Sequence, residues 1–348
     1  HYYSCWPLVE LIMRITLRLV SVSLLAGWLA ACSEPPKDPE VVVYTSRKDH
    51  LIRPVFDLYT RETGVKVRYT TDDDGALITR LAAEGSNSPA DLLITVDAGN
   101  LWQATEQGLF QPVESDVLAA NVPANLRDSE NRWFGQTVRA RTLVYSTERV
   151  QPEALSSYEA LAEPAWKGRL CLRTSKKVYN QSLVATLIER HGEEKAEAIV
   201  RGWVDNLATD VFSNDTALIE AIAAGQCDVG IVNTYYFGRL IAEKPDLPVG
   251  LFWANQDSSG VHINISGVGL TAHAPNRDQA IKLMEWMSTE APQQLLAEQN
   301  MEYPVNQAVQ PTGVVTAWGE FRADDLNVAV AGQRQVEAVK LMDRAGYR

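Results

Sequence analysis

The sequence predicts an α/β protein built as two lobes that close on a ligand. Three observations carry that expectation. From residue 40 onward, apolar runs of strand length alternate with amphipathic runs of helix length. A long strand-like stretch, His262–Leu270, returns late in the chain, so the backbone crosses between the halves more than once. And 348 residues, 46% of them hydrophobic, suffice for two substantial cores.

The elements follow in order. Val41–Tyr44 reads as a strand, residues 51–62 as a helix stopped by Gly64, and Val65–Tyr69 as a second strand. The acidic run Asp72-Asp73-Asp74 precedes a helix over residues 76–84. Carboxylates suit a helix N-terminus, so the run reads as a cap and not as a metal site. Asp91–Thr95 is a third strand, and residues 101–107 form a helix ending at Gly108. Such βαβαβ order implies a parallel, right-handed, doubly wound sheet, with ligands beyond the carboxyl ends of its strands. The candidate loops there are Thr45–His50 and Val96-Asp97.

Val138–Tyr145 alternates as a half-buried strand with Arg139 and Arg141 on one face. A second α/β set runs from Leu170 through a helix near residues 182–190 to Val211-Phe212. Asn214-Asp215-Thr216 caps a helix over residues 217–224. The apolar run ending at Val232 is a buried strand, and a short helix follows it, stopped by Pro245. Asn233 or Thr234 is its N-cap, which places Tyr235 and Tyr236 in the first turn. Adjacent helical residues point about 100° apart, so two such phenols can meet at a point beyond the helix end but cannot share one core face. Amphipathic helices close the pattern over residues 277–289 and 292–298.

The N-terminal region is read separately. Met13, Arg14 and Arg18 open a leader whose apolar stretch, residues 19–29, has signal-peptide length. Leu29-Ala30-Ala31-Cys32 resembles the lipobox of bacterial lipoproteins, which implies lipidation at Cys32 and export to the periplasm. Residues 1–12 read as an upstream translation artefact, 13–31 as the signal, and 32–40, with three prolines, as a tether. Of four cysteines, Cys5 falls in the artefact and Cys32 in the lipobox. Cys171 and Cys227 remain as a pair in an exported chain, which favours a disulfide.

The formal net charge of −12, with no Lys/Arg-rich run in the body of the chain, excludes a nucleic-acid partner. No Gly-x-Ser-x-Gly, His-Glu-x-x-His or P-loop is present, and the histidines lack nucleophile–base spacing, so an enzyme is not expected.

The ordered segments Tyr44-Thr45-Ser46-Arg47, Ser88-Pro89-Ala90-Asp91, Arg139-Ala140-Arg141, Val178–Leu183, Asn214–Ala217, Asn233–Tyr236 and Glu302–Val305 together resemble the periplasmic ferric-iron-binding proteins of ABC importers. The resemblance spans nearly all of residues 40–348. It implies the two-lobed solute-binding fold of class II type, Fe(III) in the cleft between the lobes, and a monomer that delivers it to an ABC permease and its ATPase. One lobe is expected over residues 41–137 and 266–316, the other over 138–260 and 317–348, joined by two hinge strands.

The resemblance further implies that Tyr179, Tyr235 and Tyr236 hold the metal. Fe(III) is a hard cation that prefers anionic oxygen, and three phenolates cancel its charge. The opposite lobe is left open: Lys48 and Asp49 stand where many relatives have His or His-Tyr, and His50 follows. Asp49 or His50 is a ligand candidate, and Lys48 a holder of an anion such as carbonate. Asp97, Arg139, Arg141, Asn214, Asp215 and Asn233 are expected behind the ligands, with an exposed salt bridge the reading for at least one of the two arginines. The alternatives are another small solute (an anion, a phosphonate, thiamine or a polyamine) or a lipoprotein unconnected with transport.

Overall fold

The computed structural model describes residues 39–348; the leader and the lipidation candidate Cys32 lie outside the described residues. Strand and helix alternate from the start, as β1 (Glu40–Thr45), α1 (Asp49–Thr63), β2 (Lys66–Thr71), α2 (Asp74–Glu84) and β3 (Leu92–Thr95). Helices α3 (Ala98–Glu106) and α4 (Asp116–Asn121) lead to the long strand β4 (Trp133–Ser146). Next come β5 (Leu170–Cys171), α5 (Val178–His191), α6 (Glu193–Asp205), α7 (Asp215–Ala223), β6 (Val229–Asn233) and α8 (Thr234–Glu243). Strands β7 (Val249–Phe252) and β8 (Ile263–Leu270), helices α9 (Arg277–Met287) and α10 (Glu290–Asn300), the short β9 (Tyr303–Pro304), and helices α11 (Val330–Gln333) and α12 (Gln335–Arg344) complete the chain. Gly64 ends α1 in the left-handed region at φ 75°, where a side chain would be strained.

Strand β1 lies between β2 and β3, parallel to both. Strand β8 runs antiparallel to β3, from Leu92 opposite Leu270 to Thr95 opposite Gly267. Its other edge meets β4. The first half of β4 therefore pairs with β8, while Arg141–Tyr145 pairs with β6, and β5 lies beyond, parallel to β6. The register between β4 and β8 slips between Gly135 and Thr137, a bulge near the start of the strand. The chain is a mixed α/β fold whose sheet curls along β4.

The half-buried strand expected at Val138–Tyr145 needs correction. Of the fourteen residues of β4, all but Tyr145 are buried, both arginines included. Neighbouring segments supply acceptors for the guanidiniums, so alternation of polar and apolar side chains here does not mean an exposed face.

Cys171 and Cys227 form a disulfide between β5 and the residue that leads into β6, with Cα atoms 5.9 Å apart. Among the described residues no helix is long and apolar enough to cross a membrane.

Candidate functional site

The carboxyl ends of β1, β3 and β6 open toward one cavity of about 280 Å³, where a doubly wound sheet places its ligand. At the end of β6 the chain turns straight into α8. Tyr235 and Tyr236 are therefore the second and third helical residues, with ring centroids 4.5 Å apart. Tyr179 is the second residue of α5 and lines the same cavity. The Tyr235 phenol interacts electrostatically with those of both Tyr179 and Tyr236. Three phenol oxygens thus converge at two helix N-termini, whose dipoles favour negative charge.

Beneath the rings lies a buried polar network. Arg141 donates to Asp215 Oδ2 and Asn233 Oδ1, each at 3.0 Å, and to Asn180 Oδ1 at 3.0 and 2.7 Å. Asn233 Nδ2 in turn donates to the Tyr235 hydroxyl at 3.2 Å. The other oxygen of Asp215 lies 3.5 Å from Arg173, and the Arg173 guanidinium sits 5.8 Å from the Tyr236 ring centroid. One carboxylate therefore holds two guanidiniums, Arg141 linked to Tyr235 through Asn233 and Arg173 lying beside Tyr236.

The phenols respond differently to this surrounding. Burial pushes Tyr179 up to about 12, although Arg139 opposes it. Burial and the two neighbouring phenols raise Tyr235 well above the ordinary phenol range. Burial also raises Tyr236, but the Arg173 guanidinium beside it outweighs this and holds the phenol below its ordinary value. Tyr236 is the phenol that most readily gives up its proton.

Arg139 sits between the rings and Asp97. It donates to the Val96 carbonyl, lies 3.8 Å from Asp97 Oδ2, and its Nε and Nη1 have no partner although the side chain is 3% exposed. Buried donors left in this state favour an incoming acceptor. The facing wall consists of Ser46, Lys48, Asp73, Asp74 and Val96. Asp74 accepts from the Val96 amide at 3.4 Å. Burial raises its pKa even though Ser46, the Val96 amide, Arg139 and Lys177 pull the other way.

The expected residues divide accordingly. Tyr179, Tyr235, Tyr236, Lys48 and Arg139 line the cavity, and Arg141, Asp215 and Asn233 stand directly behind it. Asp97 caps α3 through the Gly99 amide and accepts from Asn264, and burial pushes its carboxyl up to about 6. Asp49 turns instead to Tyr69, whose hydroxyl donates to it at 2.6 Å, and to Arg53. His50 is exposed, and neither residue lines the cavity. Asn214 is an exposed cap that accepts from the Ala217 amide and does not line the cavity. The exposed salt bridge expected of Arg139 or Arg141 is overturned for both, each being 2% exposed.

The acidic run is likewise more than a cap. Asp73 makes no side-chain capping bond, and Asp73 and Asp74 both reach the cavity. Sequence reasoning also passed over Arg173, Lys177, Arg239, Asn300, Glu302 and Arg47. The available signal was that Arg47 and Glu302 each belong to a segment that carried the resemblance. They form a buried ion pair at 2.8 Å. Among the described residues no three His, Cys, Asp or Glu side chains converge in a metal-holding group, so the convergent oxygens are those of the tyrosines.

Comparison with known proteins places the chain among iron-uptake relatives by sequence and fold. The chain is 42% identical over 335 residues to iron uptake protein A1 of Synechocystis, spanning 92% of this chain and 93% of that one. It superposes with a TM-score of 0.86 on the Trichodesmium protein IdiA (FutA) solved with iron and citrate, at 43% identity over 89% of this chain and all of that one. The ferric iron-binding protein A of Mannheimia haemolytica, in an open conformation, gives 0.83 at 37% identity over 89% of this chain and 99% of that one. These relatives are solute-binding transport proteins with the two-lobed fold. The family described as bacterial extracellular solute-binding proteins matches residues 55–323, and the chain belongs to it.

Proposed function

We propose that this chain binds Fe(III) through Tyr179, Tyr235 and Tyr236 and delivers it to an ABC permease and its ATPase. The observation that carries the reading is the convergence of three phenol oxygens over the Arg141–Asp215–Arg173 network. As phenolates they neutralise a trivalent cation, and the cation drives off their protons. Tyr236 is prepared by Arg173 and engages first; Tyr235 and Tyr179 lose their protons to the bound metal.

Asp74 is the carboxylate we assign to the facing wall, in place of Asp49 or His50. The unpartnered nitrogens of Arg139, with Lys48, suit an anionic co-ligand such as carbonate. The Trichodesmium relative solved with iron and citrate supports iron and an anion together. The lobes span residues 41–137 with 266–316, and 138–260 with 317–348. The bulge in β4 lies beside the first boundary, and Ser266 of β8 pairs there with Thr137. The mature protein works in the periplasm as a monomer, tethered by lipid at Cys32.

Titration with Fe(III) from a weak chelator tests the reading. A phenolate-to-iron charge-transfer band should grow in the visible with one equivalent. Tyr235→Phe and Tyr236→Phe should each weaken binding by about a hundredfold or more, because a lost phenolate leaves positive charge uncompensated, with melting temperature little changed. A double variant that stays colourless and keeps wild-type affinity for Fe(III) would end the proposal. An anion bound tightly without iron would favour the second reading, an anionic solute held by Arg139.

A further inference from the structure

We infer that Asn300 is a positioning residue for metal capture, acting through Arg239; the inference rests on the iron reading above. Arg239 follows Tyr235 by four residues and Tyr236 by three, so the helix brings its guanidinium back over both rings. It lies 5.1 Å from the Tyr235 centroid and 5.9 Å from that of Tyr236. A long, partly exposed arginine does not hold one rotamer by itself. Here Nη2 donates to Asn300 Oδ1, across the cavity from the helix that carries the tyrosines.

Asn300 is the last residue of α10 and is buried. Its Nδ2 donates to Glu302 Oε1 at 2.7 Å, while Glu302 Oε2 accepts from Arg47 and Thr137. The amide therefore has one satisfactory orientation, with nitrogen toward the carboxylate and oxygen toward Arg239. The backbone reinforces it. Met301 stands in the left-handed region at φ 54°, and its sulfur would lie 2.8 Å from a Cβ at Gly238. Helix α8 approaches this segment closely, with Met301 and Trp318 packed against Gly238. Because α10 packs on α1, whose first turn follows Lys48, the link Arg239–Asn300–Glu302–Arg47 joins the tyrosine wall to the wall facing it.

A cation held over phenolate rings stabilises their charge and lowers their filled orbitals, so charge transfer to iron needs more energy. Asn300→Leu keeps the volume and removes the acceptor. With Fe(III) bound, its visible band should move to lower energy, and release to EDTA should quicken about tenfold, the worth of one charge-assisted hydrogen bond. The double variant Asn300→Asp with Glu302→Gln restores a donor–acceptor chain of opposite polarity and should return band and rate toward wild type. Should Asn300→Leu fail to fold, Arg239→Gln, on a partly exposed side chain, is expected to give the same shift. An unmoved band in either variant, or faster release that the double variant does not rescue, overturns the inference while the iron reading stands. A wild-type protein with no band at all overturns both.

Discussion

On one side of the cavity, Tyr235 is 5% exposed and rests on Asn233, Arg141 and Asp215, which are as deeply buried. On the other, Lys48 and Asp73 are exposed, and Asp74 is partly so. The tyrosine wall is held by side chains from β4, β6, α5 and α7, with Arg141 of β4 bonded to the other three. The facing wall is made from the loop after β1 and the start of α2, with few bonds among its own members. Burial on the first side fixes the ligands before the metal arrives. Solvation on the second leaves its charges adjustable and lets residues there change at small cost in stability.

The largest effect that tests this contrast is on the buried side. Asp215→Ala leaves Arg141 and Arg173 without their shared carboxylate. Losing one partner of a buried ion pair typically costs about 3–5 kcal/mol. Urea unfolding should show a loss of that size together with loss of the iron band. A loss under about 1 kcal/mol would mean that the wall is not held by this network.

Two buried groups behind the cavity should also respond to pH in opposite senses. His262, beneath the tyrosines, is held neutral by burial and by Arg141 and Arg139, which push its pKa down to about 3. A lowered folded value gives stability that is complete above the unfolded value near 6.5 and is lost as pH falls toward 3. For one proton the slope reaches about 1.4 kcal/mol per pH unit. Asp97, raised to about 6, gives stability that is complete below about 3.8 and lost as pH rises through 6. The two oppose each other, so their contributions between pH 4 and 6 nearly cancel. His262→Asn should unmask a decline in stability with rising pH over that range. An unchanged profile would place neither group in the linkage.

The smallest effects belong to the solvated wall. Asp74→Asn should weaken iron binding about tenfold, the difference between a charged and a neutral oxygen ligand at a site open to water. It should also slightly stabilise the iron-free protein at neutral pH. The raised pKa of Asp74 means that its charged form is disfavoured there. Asp49→Asn should change affinity less than about twofold, since exposed pairs contribute little. If Asp49 proves the stronger of the two by isothermal titration, the assignment of this wall is wrong.

The same contrast governs what was legible in the sequence. Strand β6, the start of α8 and the tyrosine pair could be read because an apolar run and adjacent phenols lie within eight residues, although Asn233 makes no side-chain capping bond. Asp49 could not: Tyr69, twenty residues on and one strand over, takes its carboxylate away from the cavity. The run Asp72–Asp74 satisfied a helix-cap pattern, and that pattern does not tell which carboxylate turns toward the cavity. Arg139 and Arg141 look equivalent on one strand face. The partners that distinguish them, Asn180, Asp215 and Asn233 for one and Val96 and Asp97 for the other, are tens of residues away. Local pattern reveals elements and the ligands they carry; charge partners drawn from elsewhere in the chain decide burial.

Strand β4 has one more consequence. Its first half is hydrogen-bonded to β8 and its second half to β6 and β7, with no break in the backbone between them. An amide at Val138 and one at Leu143 therefore belong to different pairings but to one rigid segment. In deuterated buffer both halves are protected alike, since all but Tyr145 of the strand's residues are buried. The whole strand should exchange in the slowest class, and heating should give one calorimetric transition where two loosely joined halves would give two.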